Sequence, residues 1–189
     1  MLFYDHSKLS GQHAFLSPSQ NSWLNYNDDK LIDRLKTARA AEMGTRLHAL
    51  AAEHISLGIR MPRTNATLNA YINDAIGFRM TPEQVLFYSA NVFGTADAIS
   101  FDEKKKFLRI HDLKTGVTKV NMDQLEIYAA LFCLEYNYRP YEIEMELRIY
   151  QNDEVIIHNP NPSGILHIMD LIVHFDKLIE TEGNYAGIE

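Results

Sequence analysis

The chain has 189 residues, 46% of them hydrophobic, which is enough for one domain with a proper core and short for two. Its formal charge of -7 counts against a protein that grips nucleic acid by bulk positive charge, because phosphate binding is driven by Lys and Arg displacing counterions. A lone cysteine, Cys133, excludes an internal disulfide, a thiolate zinc cluster and a cysteine-held iron–sulfur cluster.

A single domain over residues 1–189 is expected. No apolar run reaches the length of a membrane helix, and Met1-Leu2-Phe3-Tyr4-Asp5-His6 lacks a signal peptide's basic start and long apolar core. An intracellular, cytoplasmic protein with no membrane partner is the expectation. The charge is unevenly spread: Lys30, Arg34, Lys36, Arg39, Arg46, Arg60 and Arg63 outnumber the acids between positions 30 and 63, and acids dominate after Glu135. A polyanion would approach the N-terminal half.

In chain order, a turn at Ser17-Pro18-Ser19 precedes a short helix carrying Trp23 and Leu24. Asn27-Asp28-Asp29 supplies an N-cap for a long helix to about Leu57, with Leu31, Leu35, Ala38, Met43, Leu47, Leu50, Ala51 and Ile55 on its apolar side. Gly44 reads as a weak point in that helix and Gly58 as its stop. Pro62 and Thr64 open a second helix through Leu68, Tyr71, Ile72 and Ile76, ending near Gly77. Then the period changes. Val85 to Val92, Thr95 to Ser100 and Phe107 to Lys114 predict three strands of an antiparallel meander. A helix over Asn121 to Tyr138 follows, with Cys133 as a small core residue. Strands at Tyr141 to Tyr150 and Glu154 to His158 flank the turn Gln151-Asn152-Asp153. Ser163 to about Glu182 closes the chain as an amphipathic helix, with Ile165, Ile168, Met169, Ile172 and Phe175 on its apolar face. On that helix His167, Asp170 and His174 read as a polar stripe rather than as ligands. This order predicts an α/β fold with a mixed central sheet flanked by helices.

The chemistry concentrates on one hairpin. Its turn is Asp102-Glu103-Lys104-Lys105-Lys106, and centring it between Lys104 and Lys105 sets Asp97 directly opposite Asp112. Cross-strand partners have Cβ atoms about 5 Å apart, close enough for two carboxylates to share a cation. Alternation turns Asp112 and Lys114 to one face and Leu113 to the other. Two carboxylates suit Mg²⁺, which keeps part of its water shell and accepts phosphate oxygens, while a neighbouring lysine orients a water or neutralises developing charge. The next helix carries Gln124 and Tyr128 as an i, i+4 pair on one side. The Lys104-Lys105-Lys106 turn lies at the far end of the hairpin and reads as solvated.

Taken together, Gly94-Thr-Ala-Asp97, Asp112-Leu-Lys114, Gln124-Leu-Glu-Ile-Tyr128 and the upstream Gly44-Thr-Arg-Leu-His48 resemble the RecB-like branch of the PD-(D/E)xK nucleases, which includes Cas4-type and phage recombination exonucleases. Order and spacing agree over roughly residues 44–128. The resemblance implies a restriction-endonuclease-like core and one or two Mg²⁺ or Mn²⁺ ions. It gives metal binding to His48, Asp97, Asp112 and the backbone carbonyl of Leu113. Lys114 would assist the water, and Gln124 and Tyr128 would contact nucleic acid or support the site. Leu16-Ser17-Pro18-Ser19 would correspond to the family's serine-containing entry to its first helix. Relatives with flanking cysteines hold an iron–sulfur cluster, which this chain cannot do. Many relatives carry further domains, and the resemblance leads to the expectation of a bare nuclease core, as in compact phage exonucleases.

The expected function is a divalent-metal-dependent deoxyribonuclease, an exonuclease by resemblance, acting in recombination, repair or phage DNA processing in a bacterial or phage-infected cell. Arg39 and Arg46 are the expected phosphate grips. Expected partners are DNA, a single-strand-annealing or other recombination protein, and further copies of the chain encircling DNA. A structure-specific endonuclease and a non-catalytic DNA-binding or scaffold protein that keeps the fold are the competing readings.

Overall fold

The structure, a computed structural model, describes Lys8 and residues 14–118 and 120–185, the side chains of 183–185 excepted. The stretch Met1-Leu2-Phe3-Tyr4-Asp5-His6, read above for a leader, lies outside the described residues. The chain divides into two compact units, Met1–Met43 and Gly44–Glu189.

In the first unit, Ser17 and Ser19 share a hydroxyl–hydroxyl bond of 2.9 Å, and the Trp23 indole N–H donates to the Ser17 carbonyl at 3.0 Å. The expected turn is therefore tied onto the short 3₁₀ helix Asn21–Asn25. The long helix α1, Asp28–Leu57, starts as its cap predicts: Asn27 Oδ1 accepts the Lys30 backbone N–H at 2.9 Å. Leu31 and Leu35 are half-buried, but Met43 and Leu50, expected on the apolar side, are exposed.

The second unit starts within α1, at Gly44. The helix runs unbroken through this glycine. Gly58 does stop it: at φ 67° it takes the left-handed conformation, and the Ile59 N–H bonds back to the His54 carbonyl. Helix α2, Thr67–Gly77, begins later than Pro62 and Thr64 suggest. Its first N–H is capped from a distant turn, where Asp153 Oδ1 accepts both the Thr67 N–H at 2.8 Å and the Thr67 hydroxyl at 3.1 Å.

Five strands follow in the spatial order β1-β2-β3-β4-β5: β1 Thr81–Ser89, β2 Val92–Asp102, β3 Phe107–Leu113, β4 Glu144–Gln151 and β5 Glu154–His158. Only β3 and β4 run parallel; the other neighbours are antiparallel. The parallel pair needs a crossover, and helix α3, Asp123–Glu135, supplies it. Helix α4, Pro162–Tyr185, closes the chain. The fold is α/β, a mixed central sheet flanked by helices. β4 starts three residues later than expected, because Pro140–Glu142 forms a 3₁₀ turn first.

Each sheet face has its own core. Leu108, Ile110, Leu147 and Ile149 pack with Leu125, Ala129 and Phe132 of α3 and with Ile165 and Ile172 of α4. Ala98, Leu113 and Tyr150 pack with Ala51 and Ile55 of α1 and with Tyr71, Ile72 and Ala75 of α2. Cys133 is a small core residue, as expected, and burial pushes its thiol up to about 12. On α4, His167, Asp170 and His174 face solvent. Phe175, however, is exposed, and its neighbour Asp176 is buried instead. The reason is polar: Asp176 Oδ1 accepts from the Ser89 hydroxyl at 2.6 Å and from Asn91 Nδ2 at 3.0 Å, holding the β1–β2 turn.

Candidate functional site

The register of the central hairpin is the one the charged turn predicts. Ala98 pairs with His111 and Asp102 with Phe107, so the next position sets Asp97 opposite Asp112. The ladder ends there because Asp97 takes over a backbone donor: its Oδ2 accepts the Leu113 N–H at 2.8 Å. The next N–H, that of Lys114, goes to the Tyr150 carbonyl of β4 at 2.9 Å. Two successive backbone groups of the Asp-Leu-Lys segment are thereby fixed.

Lys114 bridges two elements. Its Nζ lies 3.0 Å from Asp112 Oδ1 and donates to Gln124 Oε1 on α3 at 2.8 Å. Gln124 Nε2 in turn donates to the Tyr128 hydroxyl at 3.2 Å, as the i, i+4 spacing predicts. Tyr128 reaches that position across Gly94. A Cβ on Gly94 would stand 2.9 Å from Tyr128 Cε1, so any other residue there would have to displace the Tyr128 ring. An open cleft of about 330 Å³ lined by Lys114, Val120, Asn121 and Gln124 adjoins this row.

On the α1 side, His48 Nδ1 lies 3.4 Å from Asp97 Oδ2. That hydrogen bond raises the His48 pKa above the ordinary histidine value, against the opposing effect of burial. His48, Glu83 and Asp97 each offer a ligand atom, all within 4.8 Å of one another, and this group could hold a metal ion. Asp112 is not part of that tight group. It is 3% exposed, and its Oδ2 has no hydrogen-bond partner. Burial first, and the facing Asp97 second, raise its pKa, with Lys114 pulling the other way. An orphaned, buried carboxylate oxygen beside a His/Glu/Asp group fits a cation, because buried charges are otherwise paired.

Glu83 is the residue that the sequence reading missed. Pro82 pairs with Ala98 and Gln84 with Ala96, which sets Glu83 opposite Asp97 on the other flank of β2. Proline ordinarily demotes a strand, yet β1 is an edge strand, where it is tolerated. Counting register from the Ala90-Asn91 turn would have set Gln84 opposite Asp97; the irregularity between Phe87 and Ser89 shifts the pairing by one and brings Glu83 there. Glu83 holds a left-handed φ of 50°, a strained conformation for a residue with a side chain. Burial and Asp97 raise its pKa. Tyr71 is a second omission: it is buried beneath the group, edge-on to Tyr150 with ring centroids 5.4 Å apart. Burial, then Asp97, Glu83 and Asp112, push its hydroxyl pKa far up, so it stays protonated.

The structure thus brings together His48, Asp97, Asp112, Leu113, Lys114, Gln124 and Tyr128. Arg46 is exposed on α1, two positions before His48 and so on a different side of the helix. Arg39 is exposed in the first unit. Among the described residues no helix is long and apolar enough to cross a membrane. Comparison with protein-family models, curated proteins and solved structures finds no match.

Proposed function

We propose that the chain is a divalent-metal-dependent deoxyribonuclease of the PD-(D/E)xK type, related to the RecB-like and Cas4-like enzymes and acting as a compact exonuclease. One observation carries the reading: two carboxylates opposed across a hairpin, one with a buried unpartnered oxygen, beside a lysine held on a third group. A plain surface ion pair would leave no buried oxygen orphaned. Asp97 and Asp112 would hold Mg²⁺ or Mn²⁺, with His48 and Glu83 completing the ligand set and the Leu113 carbonyl available on the same strand. Such a cation supplies Lewis-acid polarisation of a phosphoryl oxygen. The protein's own groups do the rest. Lys114 Nζ, fixed by Asp112 and Gln124, orients the attacking water and offers a positive charge to the developing phosphorane. Gln124 and Tyr128 guide the strand past the cleft beside Lys114. Arg46 and Arg39 are the phosphate grips available in the basic N-terminal half.

The test is Lys114→Ala. Cleavage of linear DNA should be lost, with Mn²⁺ binding and the fold retained. Full cleavage by this variant would refute the mechanism. A single-strand-annealing protein and a self-assembled ring belong to the same reading, and a monomeric mass on DNA would remove the ring.

A further inference from the structure

Gly44 and His48 are four residues apart, so they share one face of α1. That face meets the site twice. At His48 it meets Asp97, and at Gly44 it meets Thr115, the residue after Lys114. A Cβ on Gly44 would stand only 2.8 Å from Thr115 Oγ1, a distance real Cβ contacts do not reach. Thr115 is exposed, so its side chain gives way only by rotating to another χ1 well. It is β-branched, so two of its three χ1 wells point a heavy atom in any given direction. Its backbone is also tied on both sides. The Lys114 N–H bonds to the Tyr150 carbonyl, and the buried Gln151 side chain clamps the following residues, Nε2 donating to the Gly116 carbonyl at 2.5 Å and the Thr118 carbonyl at 2.9 Å. Consecutive residues at the end of β4 thus hold the segment that carries Thr115.

We infer that the close approach of α1 to the Gln151-held segment around Thr115, open only because residue 44 has no Cβ, is the positioning device that seats α1 so that His48 reaches Asp97. It rests on the metal-dependent nuclease reading and goes further, because it gives working roles to Gly44 and Gln151, neither of which touches metal or substrate. The device links the lysine-bearing segment to the histidine-bearing helix, two parts of the site that come from opposite ends of the second unit's α1–β3 sequence. Alanine is the better helix former, so Gly44→Ala perturbs the contact without weakening α1 itself.

The experiment uses four full-length proteins: wild type, Gly44→Ala, Thr115→Ala and the double variant. Each is titrated with MnCl₂ by calorimetry, and the His48 imidazole NMR signals are recorded in EDTA. Gly44→Ala should weaken Mn²⁺ binding about tenfold, the scale of a lost outer-sphere support, and displace the His48 signals even without metal. Thr115→Ala alone should bind Mn²⁺ as wild type does. The double variant should recover both readouts, because removing Oγ1 makes room for the new methyl. Unchanged binding and unchanged His48 signals in Gly44→Ala would overturn the inference, as would a double variant as impaired as Gly44→Ala. A wild type that binds no Mn²⁺ would overturn the nuclease reading instead, while the EDTA spectra still decide the contact.

Discussion

Replacing Asp112 with Asn separates what the site costs the fold from what it offers a cation. The carboxylate is buried, with one oxygen on Lys114 at 3.0 Å and the other without a partner. Its pKa is raised by burial and by Asp97 despite Lys114, so the fold holds the neutral acid better than the anion. At neutral pH the ionised group is therefore a net burden on the metal-free protein. Asn keeps the shape and leaves Oδ1 for Lys114. It removes the charge and turns a donor toward Asp97. An unpaired buried polar group costs about 1–3 kcal/mol, so recovering part of it gives about 1 kcal/mol in EDTA. For a chain of this size that is a rise of roughly 2–4 °C in Tm. Manganese at a hundred times its Kd would stabilise the wild type by about 2.7 kcal/mol and the variant hardly at all. The order of stability should invert between EDTA and MnCl₂ in differential scanning calorimetry. A variant that melts below wild type in EDTA, or one that Mn²⁺ stabilises equally, would refute the reasoning.

Other consequences can be measured alongside. His48, Glu83 and Asp112 all have raised pKa values in the fold, so each binds protons more tightly folded than unfolded. Their contribution is present below the unfolded values and lost as pH rises through the folded ones. Metal-free stability should therefore fall as pH rises from about pH 4, where Asp112 and Glu83 begin to lose their contribution, and fall again above about pH 6.5 as His48 loses its own, with Mn²⁺ affinity rising over the same range, as chemical denaturation and calorimetry at several pH values would show. Gly94→Ala places a methyl 2.9 Å from the Tyr128 ring and should cost about 1–3 kcal/mol in urea unfolding, with a larger loss of cleavage than of Mn²⁺ binding. A neutral result would mean that Tyr128 can move freely. Asp153→Ala removes the remote cap of α2 and should cost about 1 kcal/mol without altering Mn²⁺ affinity, because neither Asp153 nor Thr67 belongs to the His48, Glu83 and Asp97 group. A change in metal binding would contradict that separation.

The parts of this fold that were legible in the sequence are those set by local rules. Asn27 caps because its side chain reaches the N–H three residues on, and Gly58 stops because only glycine takes its φ without strain. The hairpin register was readable because a five-residue charged turn between two apolar strands leaves one centre of symmetry, and that centre faces Asp97 with Asp112. What escaped depends on distant partners. Gly44 resembles a helix flaw until Thr115 is seen against it, and the start of α2 depends on an aspartate from the β4–β5 turn. Glu83 was hidden by Pro82, since the edge position that excuses the proline is a property of the whole sheet. Asp176, four residues after Ile172 and so on the buried side of α4, holds the inward place expected of Phe175 because the β1–β2 turn needs an acceptor.

The most direct test of the central claim is digestion of end-labelled linear duplex DNA beside covalently closed circular DNA, with Mg²⁺ or Mn²⁺ and with EDTA. The account predicts metal-dependent loss of the linear substrate alone, abolished in Lys114→Ala. Cleavage that persists in EDTA, or none with either metal on duplex or single-stranded DNA, would contradict it.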